Sequence, residues 1–173
     1  MAKIVLPDPE KAAKIIRDAG GTVVGRTRLQ KMAYLLEVTH LGVGFSFEYK
    51  HYGPFSEQLA DAVSMATLLG IVSERVGSTT WGGTYSTFMA NGPRSTEPNS
   101  PHAELIKMTV EVDPIALELA ATAVFLAKEG ERHPWAETQR RKPEKAKKLV
   151  EAKALYASLL KIETPVRLPR IAD

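Results

Sequence analysis

The feature that most restricts this chain is a run of 13 residues, 115–127, in which only Glu118 and Thr122 are not apolar. A helix that crosses a bilayer needs about 20 residues, so this run is too short to span a membrane. Asp113 and Pro114 stand before it, as an N-cap residue followed by proline at the first helical position. A helix that is apolar on all sides lies inside a protein or under a partner. The run therefore predicts a buried central helix.

Length and composition favour one globular domain. The chain has 173 residues, of which 44% are apolar and 25% are charged. It has no cysteine, which excludes a disulfide scaffold, a thiolate zinc site, an iron–sulfur cluster and a cysteine nucleophile. The first residues, MAKIVLPDPEK, contain only a short apolar stretch that is followed too soon by charged residues to be a secretory signal. We expect a cytoplasmic protein with no membrane association.

Turn and cap signals divide the chain into two halves of one unit. Residues 8–89 predict helix, helix, strand, helix, strand, strand, and residues 91–101 contain three prolines that indicate a connecting loop. We predict a mainly helical α+β fold as a single domain over residues 1–173. A winged-helix-like half with a small antiparallel sheet covers residues 1–90, and a helical half covers residues 102–165.

Several local features are predicted within the first half. Thr27 is expected to cap the second helix and Ser56 the third. Alternating aromatic residues over 45–52 predict a strand that ends at a turn, Gly53-Pro54. Gly77-Ser78 is expected to reverse the chain between the last two strands.

No set of residues typical of an enzyme is present. The four histidines lack metal-ligand spacing, and neither a phosphate-binding glycine loop nor a GxSxG motif occurs. Two histidine–glutamate pairs, His133 with Glu137 and His51 with Glu48, are the available acid–base groups. We therefore expect no enzymatic activity, no metal and no cofactor.

Positive charge is concentrated near the C-terminus. The chain has a net charge of +3, whereas residues 131–148 alone hold seven basic and three acidic residues, a net +4. Such a segment permits contact with nucleic acid or an acidic partner. It also fits an ordinary solvated helix face on which Glu144 and Lys148 form a pair one turn apart.

Two segments resemble a known family. They are GRTRLQKMAYLLEVTHLGVGFSFEYKHYGPFSEQLADAV, residues 25–63, and KEGERHPWAETQRRKP, residues 128–143. Together they resemble the Panacea domain of SocA-like bacterial antitoxins, and more closely the uncharacterised YwgA-like bacterial proteins. The resemblance implies a small protein-binding module that neutralises a toxin by direct contact or serves as a protease adaptor. The matching positions are Leu29, Gln30, Lys31, Tyr34, Tyr52, Gly53, Pro54, Ser56 and Trp135.

The residues predicted to bind a protein partner combine these positions with nearby charge. They are Arg28, Lys31, Tyr34, Tyr52, Pro54 and Trp135. Arg28 and Lys31 are expected to face solvent, because they lie on the opposite side of their helix from Leu29, Met32 and Leu36. Trp135 is expected to fill the seam between the last two helices.

A winged-helix regulator that binds DNA is the alternative. Its third helix carries Glu57 and Asp61 and no lysine or arginine, whereas phosphate contacts need cations. DNA would then engage other residues: Arg26, Arg28, Lys31, Arg140, Arg141 and Lys142. The sequence leaves the partner's identity and the oligomeric state open.

Overall fold

A computed structural model describes residues 6–172. Within this range the chain forms seven α-helices and five β-strands. In chain order they are α1 (Asp8–Asp18), β1 (Thr22–Val24), α2 (Arg26–Val38), β2 (Glu48–Lys50), β3 (Gly53–Phe55), α3 (Glu57–Leu68), β4 (Ser73–Ser78), β5 (Thr84–Met89), α4 (Pro101–Glu111), α5 (Pro114–Lys128), α6 (Pro134–Arg141) and α7 (Leu149–Leu159). A 3-10 helix, Pro143–Lys148, leads into α7.

The N-terminal half has the topology of a winged helix with an inserted hairpin. Strand β1 lies between the first two helices and pairs antiparallel with β5, and β4 pairs with the other edge of β5. Helix α3 packs on α1 and leads into β4. The predicted α+β class with a small antiparallel sheet is therefore confirmed.

The tip of the wing lies later in the chain than predicted. Gly77 and Ser78 belong to β4, and the chain reverses over residues 79–83. Thr79 closes this turn, because its backbone N–H and its hydroxyl both donate to the carbonyl of Gly83. Gly82 takes a positive φ of 89° there, which glycine adopts readily.

The inserted hairpin, β2 and β3, replaces the longer aromatic strand predicted over residues 45–52. Its reversal is at His51 and Tyr52, and Gly53-Pro54 begins the second strand instead of ending the first. Gly53 has a φ of +86°, and a Cβ added there would lie 2.3 Å from Oγ1 of Thr122 on α5. Glycine at this position therefore lets the hairpin approach α5 closely.

The two predicted caps have different outcomes. Ser56 caps α3 as predicted, since its hydroxyl accepts from the N–H of Leu59 at 3.0 Å. Thr27 does not cap α2: the helix begins at Arg26, with Gly25 as its N-cap and no side-chain cap. Gly25 has a φ of +99°, and its N–H donates to Ser86 of β5. Pairing with the sheet thus sets where α2 begins.

Helix α5 is the buried central helix that its composition predicts. Its residues from Ala116 to Val124 are all buried, and Asp113 caps its first turn by accepting from Ile115 and Ala116. Around it pack α2, α6, α7 and β3. One continuous hydrophobic core includes residues from both halves. None of the helices within residues 6–172 has the length and apolar character needed to cross a membrane.

Candidate functional site

Glu118, the one charged residue of the apolar run, is the centre of a buried charge cluster. Its side chain is 3% exposed, and its carboxylate accepts from Nζ of Lys142 at 2.7 Å. Nζ of Lys145 lies 2.7 Å and 2.9 Å from the two carboxylate oxygens. Lys142 is as buried as Glu118. One carboxylate in the core therefore binds two ammonium groups.

Lys31 is the third lysine of this cluster and is 1% exposed. Its Nζ donates to the carbonyl of Pro54 at 2.7 Å. Burial is the main cause that lowers the pKa of Lys31, to about 7; Lys142 and Lys145 lower it further, and Glu118 opposes them. The expectation that Lys31 faces solvent is wrong, because α2 is buried from Leu29 through Leu36 with the β2–β3 hairpin against it.

The lysine cluster also holds the hairpin in place. Lys31 binds the carbonyl of Pro54, and Lys142 binds the carbonyl of His51 at 2.8 Å. The ring of Tyr52 lies 5.0 Å from Nζ of Lys145, and this tyrosine is 61% exposed. Tyr52 is therefore the point where the buried cluster meets the surface.

Arg28 has a structural contact that its sequence position did not indicate. Its guanidinium donates to the carbonyls of Thr109 and Val112 at 2.6 Å and 2.8 Å. These carbonyls lie at the end of α4, where a helix leaves carbonyl groups without intrahelical partners. Arg28 is therefore only partly exposed to solvent, because its guanidinium ties α2 to the C-terminus of α4.

Four of the six residues predicted to bind a protein partner lie inside the protein: Lys31, described above, and Tyr34, Pro54 and Trp135. Tyr34 and Trp135 are 4% and 5% exposed, and Pro54 is buried in β3. Trp135 packs edge-on against Tyr156 with ring centroids 5.8 Å apart, which is the predicted seam between α6 and α7. Of the six predicted residues, Tyr52 has the largest exposed fraction. Its role in partner binding stays a prediction.

The cations predicted to contact DNA have acidic neighbours or are buried. Arg26 is exposed and pairs with Glu74. Arg140 and Arg141 both bind Glu137, which holds the pKa of that carboxyl at about 2. Lys31 and Lys142 are both buried.

The pairing predicted within the basic segment also changes. Lys148 contacts Asp113 and Glu151 in place of Glu144. Asp113 is the cap of α5, so this contact joins the basic segment to the central helix. Much of the positive charge of residues 131–148 therefore binds carboxylates of the same chain.

An open cleft of about 680 Å³ lies beside the cluster. The first turn of α2 forms one wall, β5 forms another, and the hairpin closes one end. Its lining residues are Val24, Gly25, Arg26, Thr27, Arg28, Gln30, Lys31, Tyr52, Phe55, Thr84, Tyr85, Ser86 and Pro114. Sequence reasoning missed this cleft, because it forms only where residues 24–31 meet the wing and the hairpin.

The exposed face of α3 is a second surface that could contact a ligand. Five exposed residues recur along one stripe: Glu57, Asp61, Ser64, Met65 and Leu68. Met65 is 46% exposed and Leu68 is 80% exposed. The stripe is acidic at its start and apolar at its end. The sequence predicted its acidic part but not its exposed apolar part.

Comparison with known proteins finds a partial match. Over 70 residues the chain is 30% identical to the uncharacterized protein YwgA of Bacillus subtilis, which is 40% of this chain and 42% of YwgA. The match therefore spans less than half of either protein. No family model matches the chain, and no solved structure matches it significantly.

Proposed function

We propose that this protein is a non-enzymatic module that binds another protein through the exposed stripe of α3. The observation that carries this proposal is the character of the stripe. In helix-turn-helix proteins that bind DNA, the exposed face of the recognition helix contacts the ligand, and α3 occupies the corresponding place in this fold. Here that face presents Met65 and Leu68 to solvent, preceded by Asp61 and Glu57.

The composition of the stripe indicates the chemistry of the partner. Exposed apolar residues beside polar ones are typical of protein interfaces. Glu57 already pairs with Lys50 of the hairpin, which leaves Asp61 as the acidic neighbour of Met65. A partner that places apolar side chains on Met65 and Leu68, with a basic residue beside Asp61, is complementary to this surface.

DNA binding is the second candidate function, and the order β1-β5-β4 of the winged-helix sheet favours it. The charges oppose it. Helix α3 has no lysine or arginine, and its acidic residues would repel phosphates, which supply most of the affinity for DNA. We therefore rank protein binding first.

An antitoxin-like or adaptor-like role is the finer form of the proposal. It is supported by the resemblance of residues 25–63 and 128–143 to the Panacea domain of SocA-like antitoxins. The partner would then be a toxin or a component of a protease system. The partial match to YwgA adds no activity, since YwgA is itself uncharacterized.

A capture experiment with two variants tests the proposal. Tagged protein is purified from its native cells after nuclease treatment, and bound proteins are quantified by mass spectrometry. The variant Leu68→Asp changes the stripe, and Val150→Asp is the control. Val150 is 78% exposed and lies on α7, outside the stripe.

We expect a partner that is retained by wild type and by Val150→Asp and is lost with Leu68→Asp. A partner retained equally by both variants would contradict the role of the stripe. A mobility shift of duplex DNA at micromolar protein, weakening as salt rises, would instead favour the DNA-binding candidate.

A further inference from the structure

Strand β4 lies at one edge of the winged-helix sheet, whose strand order is β1-β5-β4. Its six residues pair continuously with β5, without a bulge, and they include no lysine and no proline. Among residues 6–172, no backbone hydrogen bond reaches the outer side of β4. Proteins usually protect such an edge with lysine, proline or a bulge, because an unprotected edge pairs with other strands. Strand β4 is therefore open to an additional strand.

The hydrogen bonds of the sheet show which groups of β4 face this edge. The N–H of Gly25 donates to the carbonyl of Ser86, so the backbone groups of Ser86 point toward β1. The direction alternates along an antiparallel strand, so those of Thr87 point toward β4, where Thr87 pairs with Arg75. The backbone groups of alternate residues on β4 therefore point away from the sheet: Glu74, Val76 and Ser78.

We propose that β4 pairs antiparallel with β4 of a second copy of this chain, with Val76 of each copy directly opposite the other. Each outward-pointing residue then has an outward-pointing partner, because Glu74 of one copy faces Ser78 of the other. The side chains of Val76, each 65% exposed in the single chain, pack on each other at the centre. A two-fold axis relates the copies, so every contact away from the axis occurs twice. This self-association is separate from protein binding through the stripe of α3.

The charges of β4 favour this register over its neighbours. Like charges directly opposite each other destabilise a strand pair. A pair centred on Arg75 would place two guanidinium groups together, and one centred on Glu74 would do the same for two carboxylates. A pair centred on Gly77 would be shorter, because β4 ends at Ser78. With Val76 at the centre, Arg75 faces Gly77 of the other copy, and no like charges are directly opposite.

The ring of Tyr85 offers a contact to Arg75 of the second copy. Tyr85 pairs with Gly77, and a Cβ added at Gly77 would lie 2.6 Å from Cζ of that tyrosine. The ring therefore extends across β4 toward the free edge, and Tyr85 is 44% exposed. In the proposed register, Arg75 of the second copy lies opposite Gly77, on the face that holds this ring. An arginine over a tyrosine ring makes a favourable cation–π contact, so this face also favours the pair.

Sedimentation equilibrium of the full chain tests the proposal. From about 10 μM to about 0.5 mM, a range that includes weak pairs, wild type should change from monomer to dimer. Val76→Lys should weaken the dimer by about tenfold or more, because two lysines would face each other. Val150→Lys is the control, since Val150 is a valine on α7 that is 78% exposed, and it should dimerise as wild type does. Thermal unfolding of both variants checks that the fold is intact.

A mixture of two variants tests the register. Val76→Lys and Val76→Glu should each be monomeric alone, because each places like charges opposite each other. Their mixture should form a heterodimer, since lysine then faces glutamate across the pair. A mixture that stays monomeric while wild type dimerises would overturn the proposed pairing.

Cross-linking detects the pair even where it is weak. The chain has no cysteine, so Val76→Cys introduces a single thiol. Directly opposite residues in a hydrogen-bonded pair have α-carbons about 5.5 Å apart, within the separation of about 4.4–6.8 Å that a disulfide spans. With oxidised glutathione as the oxidant, Val76→Cys should form a disulfide-linked dimer at least about tenfold faster than Val150→Cys, because pairing raises the local concentration of its thiol.

Two further results would overturn the proposal. The first is a monomer throughout the concentration range, together with equal rates of cross-linking in Val76→Cys and Val150→Cys. The second is equal dimerisation of Val76→Lys and Val150→Lys, which would place the contact elsewhere on the protein.

Discussion

Removal of the charge of Glu118 should destabilise this fold strongly, because two lysines in the core depend on that carboxylate. The substitution Glu118→Gln keeps the shape of the side chain and removes the charge that Lys142 and Lys145 share. Removing one partner of a buried ion pair costs about 3–5 kcal/mol, because the remaining charge stays buried without compensation. A domain is stable by about 5–15 kcal/mol. We therefore expect Glu118→Gln to lose a large part of the free energy of unfolding.

The assay is urea unfolding at pH 7, followed by far-UV circular dichroism. The control is Glu137→Gln, the same substitution at a surface glutamate that also binds two cations, Arg140 and Arg141. Exposed ion pairs contribute little to stability, so this variant should unfold close to wild type. Hydrogen exchange should also quicken at residues 48–55 in Glu118→Gln, since Lys142 would lose one of the contacts that hold it against the hairpin.

The double variant Glu118→Leu, Lys142→Met completes the test. Replacing both members of a buried pair by apolar residues is often neutral or stabilising, and Lys145, which is partly exposed, can turn toward water. We expect the double variant to be more stable than Glu118→Gln. Equal losses in Glu118→Gln and Glu137→Gln, or no recovery in the double variant, would refute the argument that the cluster is desolvated.

Three further predictions concern the surroundings of the cluster. Lys31 has a pKa lowered from 10.5 to about 7 in the folded protein, so between these values the unfolded state binds more protons. Stability should therefore rise with pH above 7, by at most about 1.4 kcal/mol per unit. Lys31→Met should lack this part of the slope in urea unfolding at pH 6 to 9, and parallel slopes would contradict the prediction. Gly53→Ala should destabilise by about 2 kcal/mol or more, since the backbone is left-handed and the new Cβ meets Thr122. A melting temperature equal to that of wild type would contradict this. Arg28→Met should cost about 1–3 kcal/mol, because two carbonyls at the end of α4 lose their donor. Hydrogen exchange should then quicken in α4, whereas a change confined to partner binding would contradict the structural role.

The sequence predicted features that depend on local rules. The apolar run could only form a buried helix, and Asp113 and Ser56 occupy cap positions that physical chemistry favours at helix starts. The sequence also predicted β4 and β5 from residues typical of strands. It placed the turn between them at Gly77-Ser78, whereas the chain reverses over residues 79–83. Thr27 failed as a cap because the hydrogen bond from Gly25 to Ser86, 61 positions away in the chain, sets the start of α2.

The candidate site could not be predicted in this way. The sequence predicted Lys31 at the surface on the assumption that α2 has only one buried side. The inserted hairpin and α5 cover the side that was expected to be exposed. The contact between Glu118 and Lys142 joins residues 24 positions apart, one on α5 and the other at the junction between α6 and the 3-10 helix. A single carboxylate in an otherwise apolar run was the available signal, since a buried charge requires a partner.

The same cluster explains why the charge of this chain is a poor guide to its partner. Residues 131–148 carry the positive charge that suggests nucleic acid. Yet Lys142 and Lys145 bind Glu118 in the core, Lys148 binds the cap of α5, and both arginines bind Glu137. The three lysines join the segment between α6 and α7 to the central helix, and the two arginines are paired within α6, so few of these cations remain for phosphates. The winged-helix topology therefore presents an acidic and apolar helix with little basic surface beside it, and that combination favours a protein partner over DNA.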